Sequence, residues 1–182
     1  MYNLQEMMVM QIDEIVGIAD GLTERFGTRN PFRLAQELDI EIIERDFKHQ
    51  KGAYKVILNN RFVFVKRDLE PVMKSIVLLH EIGHDVLHRE EAVLEGGFRE
   101  FNLFGNQDVR MEYEANIFAA QISLNDDEMI DYISLGYDVN QIAQAMNSDV
   151  NLVALKTQIL ASKGRELKIP EHKNNFLKDT KR

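Results

Sequence analysis

Residues 76–88 read Ile76-Val77-Leu78-Leu79-His80-Glu81-Ile82-Gly83-His84-Asp85-Val86-Leu87-His88, and the rest of the chain is best understood outward from them. A run of aliphatic residues leads into a polar segment, as in a helix driven into a protein core. Pro71 stands near its start, and the helix is expected to continue to about Arg89. Within it, His80-Glu81-Ile82-Gly83-His84 matches H-E-x-x-H. Residues four apart lie one turn apart on one helix face, so both imidazoles can reach a single zinc ion. Glu81 is turned about 100° from His80 around the helix. Its carboxylate therefore sits beside such an ion, placed to accept a proton from a water whose acidity the metal raises.

Composition narrows the ligand set. The 182 residues include five histidines and no cysteine, so thiolate zinc sites, iron–sulfur clusters, disulfides and cysteine nucleophiles are all excluded. His80, His84 and His88 cluster, while His49 and His172 stand apart. His88 continues the face of the first two, but positions eight apart are about 12 Å apart along a helix axis, too far to share one ion with His80. It is expected instead to hydrogen-bond beside the site or in the core. A third histidine six residues after His84 is ruled out, because Glu90 stands there, and Leu87 replaces the glycine that variant requires. The third ligand should be a carboxylate from a later helix, leaving a fourth position open.

A helix expected from about Val109 to Ile122 supplies it. Glu112 and Asn116 are four apart and share a face, while Ala115 and Ala119 are small enough for close helix packing. Asn116 can accept a hydrogen bond from a ligating imidazole and so hold its ring. Glu114 competes with Glu112 but lies about 200° away around the helix. Glu112 is the preferred ligand.

Leu79-His80-Glu81-Ile82-Gly83-His84 with Leu87-His88, followed by Glu112-x-x-x-Asn116-x-Phe118-Ala119-Ala120, resembles the ImmA/IrrE family of zinc metallopeptidases. The resemblance covers roughly residues 30–125 and takes in the Pro31 helix and the Ile57-Leu58-Asn59 strand. Where such proteins often continue Leu-Leu-x-Pro, this chain has Ile122-Ser123-Leu124-Asn125, a change in a loop. The resemblance implies a zincin-like fold, one zinc ion held by His80, His84 and Glu112, and Glu81 as catalytic base. It further implies cleavage of a helix-turn-helix transcriptional repressor, derepressing a phage, integrative element or stress-response locus.

Elsewhere the chain is mostly helical. Leu4, Met8, Ile12, Ile15, Ala19 and Leu22 recur at helical spacing in a helix ending near Gly27, and Asn30-Pro31 opens a short helix to about Leu38. Residues 41–44 read as a strand, and 53–58 with 62–65 as a hairpin around Asn59-Asn60-Arg61. Gly96-Gly97 breaks the chain, and Phe98, Phe101, Leu103 and Phe104 suggest an irregular strand or loop. A short helix capped by Asn125 or Asp126 precedes helices at about 139–146 and 150–162. The expected fold class is α+β: a zincin-like metallopeptidase domain over 1–124, with a small sheet in its first half packed on the H-E-x-x-H helix. A C-terminal helical, helix-turn-helix-like subdomain over 125–163 and a basic, flexible tail over 164–182 follow.

Charge bears on partners. The net charge is −8, although Arg165, Lys168, Lys173, Lys178, Lys181 and Arg182 make the tail basic. Residues 138–160 have a helix-turn-helix-like pattern, yet they offer only Lys156 against Asp138 and Asp149, too little to hold phosphates, so no direct nucleic-acid binding is expected. No signal peptide or membrane-length apolar run is apparent, which points to the cytoplasm. Three functions compete: a zinc endopeptidase that cuts a repressor, a non-catalytic anti-repressor of the same fold that captures it, and a DNA-binding regulator, which the acidic balance disfavours. Substrate would pair with an edge strand, either 53–58 or 62–65. His49, Tyr54, Tyr113 and Arg110 are candidate oxyanion donors.

Overall fold

A computed structural model describes residues 4–94 and 106–162. The aromatic segment at Phe98–Phe104, the Gly96-Gly97 break and the basic tail lie outside the described residues. Helix α1 (Leu4–Phe26) places Ile12, Ile15, Val16 and Ala19 in the core. Helix α2 (Pro31–Glu37) starts where Asn30 accepts hydrogen bonds from the N–H groups of Phe32 and Arg33, with Pro31 pre-set in φ at the first helical position. The strands are β1 (Ile40–Arg45), β2 (Gly52–Ile57) and β3 (Asn60–Lys66).

Their order is β1-β3-β2, with β3 parallel to β1 and antiparallel to β2. The central strand is therefore β3, which corrects one of the two expectations for a substrate-pairing edge: residues 62–65 are hydrogen-bonded on both sides, whereas β2, like β1, is an edge strand. The hairpin also turns one residue earlier than expected. Ile57 pairs with Asn60, so the turn is Leu58-Asn59, both at positive φ (49° and 65°). That doubly left-handed pair matches the right-handed twist of the flanking strands. Alternation then sends Tyr54, Val63 and Val65 into the core.

Helix α3 (Pro71–Leu94) packs across β2 and β3 and against α4 (Asn106–Ser123). It extends beyond the expected end near Arg89, with a break at His88, whose backbone is not helical (φ −129°, ψ 21°). Close approach of α3 and α4 depends on Gly83: a Cβ there would lie 3.2 Å from the Ala115 Cα and 3.2 Å from Phe118 Cδ1. Helices α5 (Asp126–Ser134, capped by Asn125), α6 (Val139–Ala145, with an Asp138/Gln141 capping box) and α7 (Val150–Ser162) follow, and α7 lies on α4.

Lys156, the one basic side chain of the helix-turn-helix-like stretch, is wholly buried. Its ammonium donates to Gln121 Oε1 and pairs with Asp126, tying α7 to α4 and α5 rather than facing a nucleic-acid backbone. Among the described residues, no helix is long and apolar enough to cross a membrane. The architecture is α+β, mostly helical, with one small sheet packed on the helix that carries His80-Glu81-Ile82-Gly83-His84.

Candidate metal centre

The aliphatic run before His80 drives α3 into the core, so its polar residues arrive there as well: His80, Glu81, His84, Asp85 and His88 are all buried. Burial without partners would be costly for each of them, and the structure gives each one a partner.

His80 and His84 meet ring to ring, their Nε2 atoms 3.1 Å apart. Glu112 on α4 faces both, with Oε2 3.1 Å from His80 Nε2 and Oε1 3.3 Å from His84 Nε2. One potential ligand atom from each of these residues lies within 4.8 Å of the others, a group able to hold a metal ion. The chemistry of the donor set fits zinc. Asn116 Oδ1 lies 2.9 Å from His80 Nδ1, so that nitrogen carries the proton and Nε2 turns a bare lone pair inward. His80 Nε2, His84 Nε2 and the Glu112 carboxylate together form a donor set able to hold a cation.

Glu114 is excluded from this group. Its Oε2 is 2.7 Å from His88 Nε2, its Oε1 is 3.4 Å from Arg110 Nε, and Gln11 Nε2 donates to it from α1. His88 in turn places Nδ1 3.2 Å from His84 Nδ1. The break in α3 falls at the residue whose ring turns back to its neighbour. His88 thus contacts a ligand candidate, as a hydrogen-bonding role would require, whereas its partner Glu114 was weighed in the sequence only as a rival to Glu112. The i, i+4, i+8 row of histidines was the available signal for such a carboxylate.

Glu81 stands beside the cluster, pressed against the edge strand. A Cβ at position 52 would lie 2.6 Å from Glu81 Oε1 and 2.6 Å from Val77 Cγ1, so only glycine lets β2 approach this closely. Burial, with the Glu112 charge nearby, raises the Glu81 carboxyl to about 7, while His80 and a hydrogen bond from the Tyr54 backbone N–H oppose the shift. Burial pushes His84 down to about 4 against the pull of Glu112. For His80 burial acts in the same direction, but the Glu112 carboxylate and the Glu81 charge outweigh it and raise the proton affinity above the ordinary histidine value. Glu112 is itself desolvated, yet its contacts with His80 and His84 hold its carboxyl well below the usual carboxylate range.

Beneath the site, Asp85 anchors the hairpin. It accepts from the Tyr54 hydroxyl at 2.6 Å, from Arg61 at 3.2 Å and from Arg89 at 2.7 Å and 3.2 Å. Tyr54 is thereby committed and is removed from the candidate oxyanion donors, and Arg110 is paired with Glu114. His49 is exposed in the β1–β2 connection, and Tyr113 is half-buried next to Glu112.

The chain is 28% identical over 136 residues to "Uncharacterized immunity region protein 2" of Bacillus phage phi105, an alignment covering 74% of this chain and 84% of that protein. Residues 35–157 match the family model described as the IrrE N-terminal-like domain, Peptidase_M78. That span runs from α2 to α7 and includes every residue of the candidate centre; the chain belongs to the IrrE N-terminal-like peptidase family.

Proposed function

We propose that this chain is a zinc-dependent endopeptidase acting in the cytoplasm as an anti-repressor, cutting a helix-turn-helix transcriptional repressor and so derepressing a mobile element or stress-response locus. His80, His84 and Glu112 hold the zinc ion, Glu81 is the catalytic base, and Asn116 and His88 brace the two ligand rings. The observation that carries this reading is Glu81, a buried carboxylate lying between a convergent His-His-Glu cluster and the backbone of an edge strand. The phage relative's immunity-region name supports a role in controlling a mobile element.

A zinc ion bound there supplies Lewis acidity to water and to the scissile carbonyl. The remaining tasks fall to the chain's own groups. The edge of β2 offers unpaired backbone groups to an extended substrate, which lays the peptide beside Glu81. Glu81 takes a proton from the attacking water and returns it to the departing amine. In the metal-free site burial raises its proton affinity. The Tyr54 N–H and the close backbone at Gly52 restrict where that carboxylate can swing.

The test is co-incubation with any helix-turn-helix repressor found encoded beside this chain's gene, with and without chelator, using native protein and Glu81→Gln. The native protein should cut the repressor unless chelated. The Gln variant should bind zinc and repressor but leave the repressor whole. If Glu81→Gln releases repression in full, capture rather than proteolysis is the mechanism.

A further inference from the structure

The two imidazoles of the centre are braced differently. His80 donates directly to the neutral Asn116 side chain. His84 faces a second histidine, and that histidine faces a carboxylate: His84 Nδ1 to His88 Nδ1 is 3.2 Å, and His88 Nε2 to Glu114 Oε2 is 2.7 Å. We infer that Glu114 acts through His88 as a positioning residue for the metal ligand His84, fixing its ring orientation and proton placement from two side chains away. The inference rests on the zinc reading of His80, His84 and Glu112.

Proton placement can be followed from either end. A carboxylate accepts, so His88 carries its proton on Nε2 and turns a bare Nδ1 to His84. His84 then carries its proton on Nδ1, which gives the Nε2 lone pair to the metal, as coordination requires. Each link in this direction has one donor and one acceptor, and Glu114 sets the direction because both its oxygens are engaged. Oε2 takes His88, and Oε1 lies toward Arg110, with Gln11 donating from α1. His88 is 3% exposed and Glu114 6%, so little water can substitute for either. The break in α3 at His88 accompanies this contact rather than a metal contact.

The experiment measures zinc binding on the full chain by competition with a chromophoric chelator, together with the visible spectrum of the cobalt(II)-substituted protein. His88→Leu removes the acceptor and should weaken zinc about 10- to 100-fold, the usual range for losing such a brace. His88→Gln offers a carbonyl oxygen to His84 Nδ1 and should recover most of that loss. Glu114→Gln keeps an acceptor for His88 but removes the charge, and should fall between native and His88→Leu. The cobalt spectrum should change in His88→Leu and return in His88→Gln. Melting separates positioning from packing: loss of packing lowers the metal-free and zinc-loaded midpoints equally, whereas loss of positioning shrinks the gap between them.

Zinc affinity within about twofold of native in both His88→Leu and Glu114→Gln overturns the inference. If His88→Leu fails to fold, Glu114→Gln decides it by the same measure. Native protein that binds no zinc overturns the underlying metal reading as well, so the two failures are distinguishable.

Discussion

Tyr54→Phe deletes one oxygen and nothing else, and the structure lets its cost be worked out. The hydroxyl donates to Asp85 at 2.6 Å, with Tyr54 1% exposed and the Asp85 side chain fully buried. A buried hydrogen bond to a charged acceptor contributes about 1.5–3 kcal/mol. Asp85 retains Arg61 and Arg89, so the carboxylate is not stranded. The loss should therefore stay below the roughly 3–5 kcal/mol of a buried ion pair broken outright. For a chain of this size about 1 kcal/mol corresponds to roughly 2–4 °C, which predicts a fall of about 3–12 °C in melting midpoint. Circular dichroism on metal-free protein reads the midpoint, and urea titration should show a lower midpoint at unchanged slope. A cycle with Asp85→Asn should return a coupling of about 1 kcal/mol or more, because the two side chains share one bond. A Tyr54→Phe midpoint within about 1 °C of native would refute the assignment of Asp85 and Tyr54 as the anchor of the edge strand.

Other perturbations probe the centre itself. Gly52→Ala should displace Glu81, because restoring ordinary contact from 2.6 Å to 3.4 Å needs a shift of about 0.8 Å. Such a misplacement should lower turnover on the repressor by about 100-fold while leaving zinc affinity nearly unchanged. Apparent zinc affinity should fall as the pH drops through the His80 value, which in metal-free protein lies above the ordinary 6.5. The sign follows because zinc needs the neutral ring: one displaced proton gives about a tenfold loss per pH unit, measurable by chelator competition across pH. Gly83→Ala should force α4 away from α3, with the overpacking cost of about 1–3 kcal/mol offset in part by about 1 kcal/mol of helix propensity; thermal melting and zinc titration would both register it.

Much of the centre is legible in the sequence because helical phase is simple geometry. Spacing alone puts His80 and His84 on one face, and Glu112 in phase with Asn116 rather than with Glu114. The start of α2 is equally plain, and that of α5 is placed to within one residue, since Asn30, Pro31 and Asn125 act through local hydrogen bonds and a fixed φ. What escaped was non-local. Nothing in residues 40–66 announces that β1 lies beside β3 and parallel to it, because strand order depends on how the sheet meets α3. The hairpin turn was misplaced by one residue because Leu58 is an unusual occupant of a left-handed position, whereas Asn59 is a familiar one. Straight-helix geometry sets His88 apart from His80, but its partner Glu114 is visible only once α3 and α4 are packed together.

The central claim is metal-dependent hydrolysis that requires Glu81. Intact-mass spectrometry of a candidate helix-turn-helix repressor from a neighbouring gene tests it most directly, after incubation with zinc-loaded native chain, chelated native chain and zinc-loaded Glu81→Gln. The account predicts fragments whose masses sum to the repressor plus one water, with the native zinc-loaded chain alone. Intact repressor in a stable complex with the native zinc-loaded chain, or equal cleavage by Glu81→Gln, would contradict it.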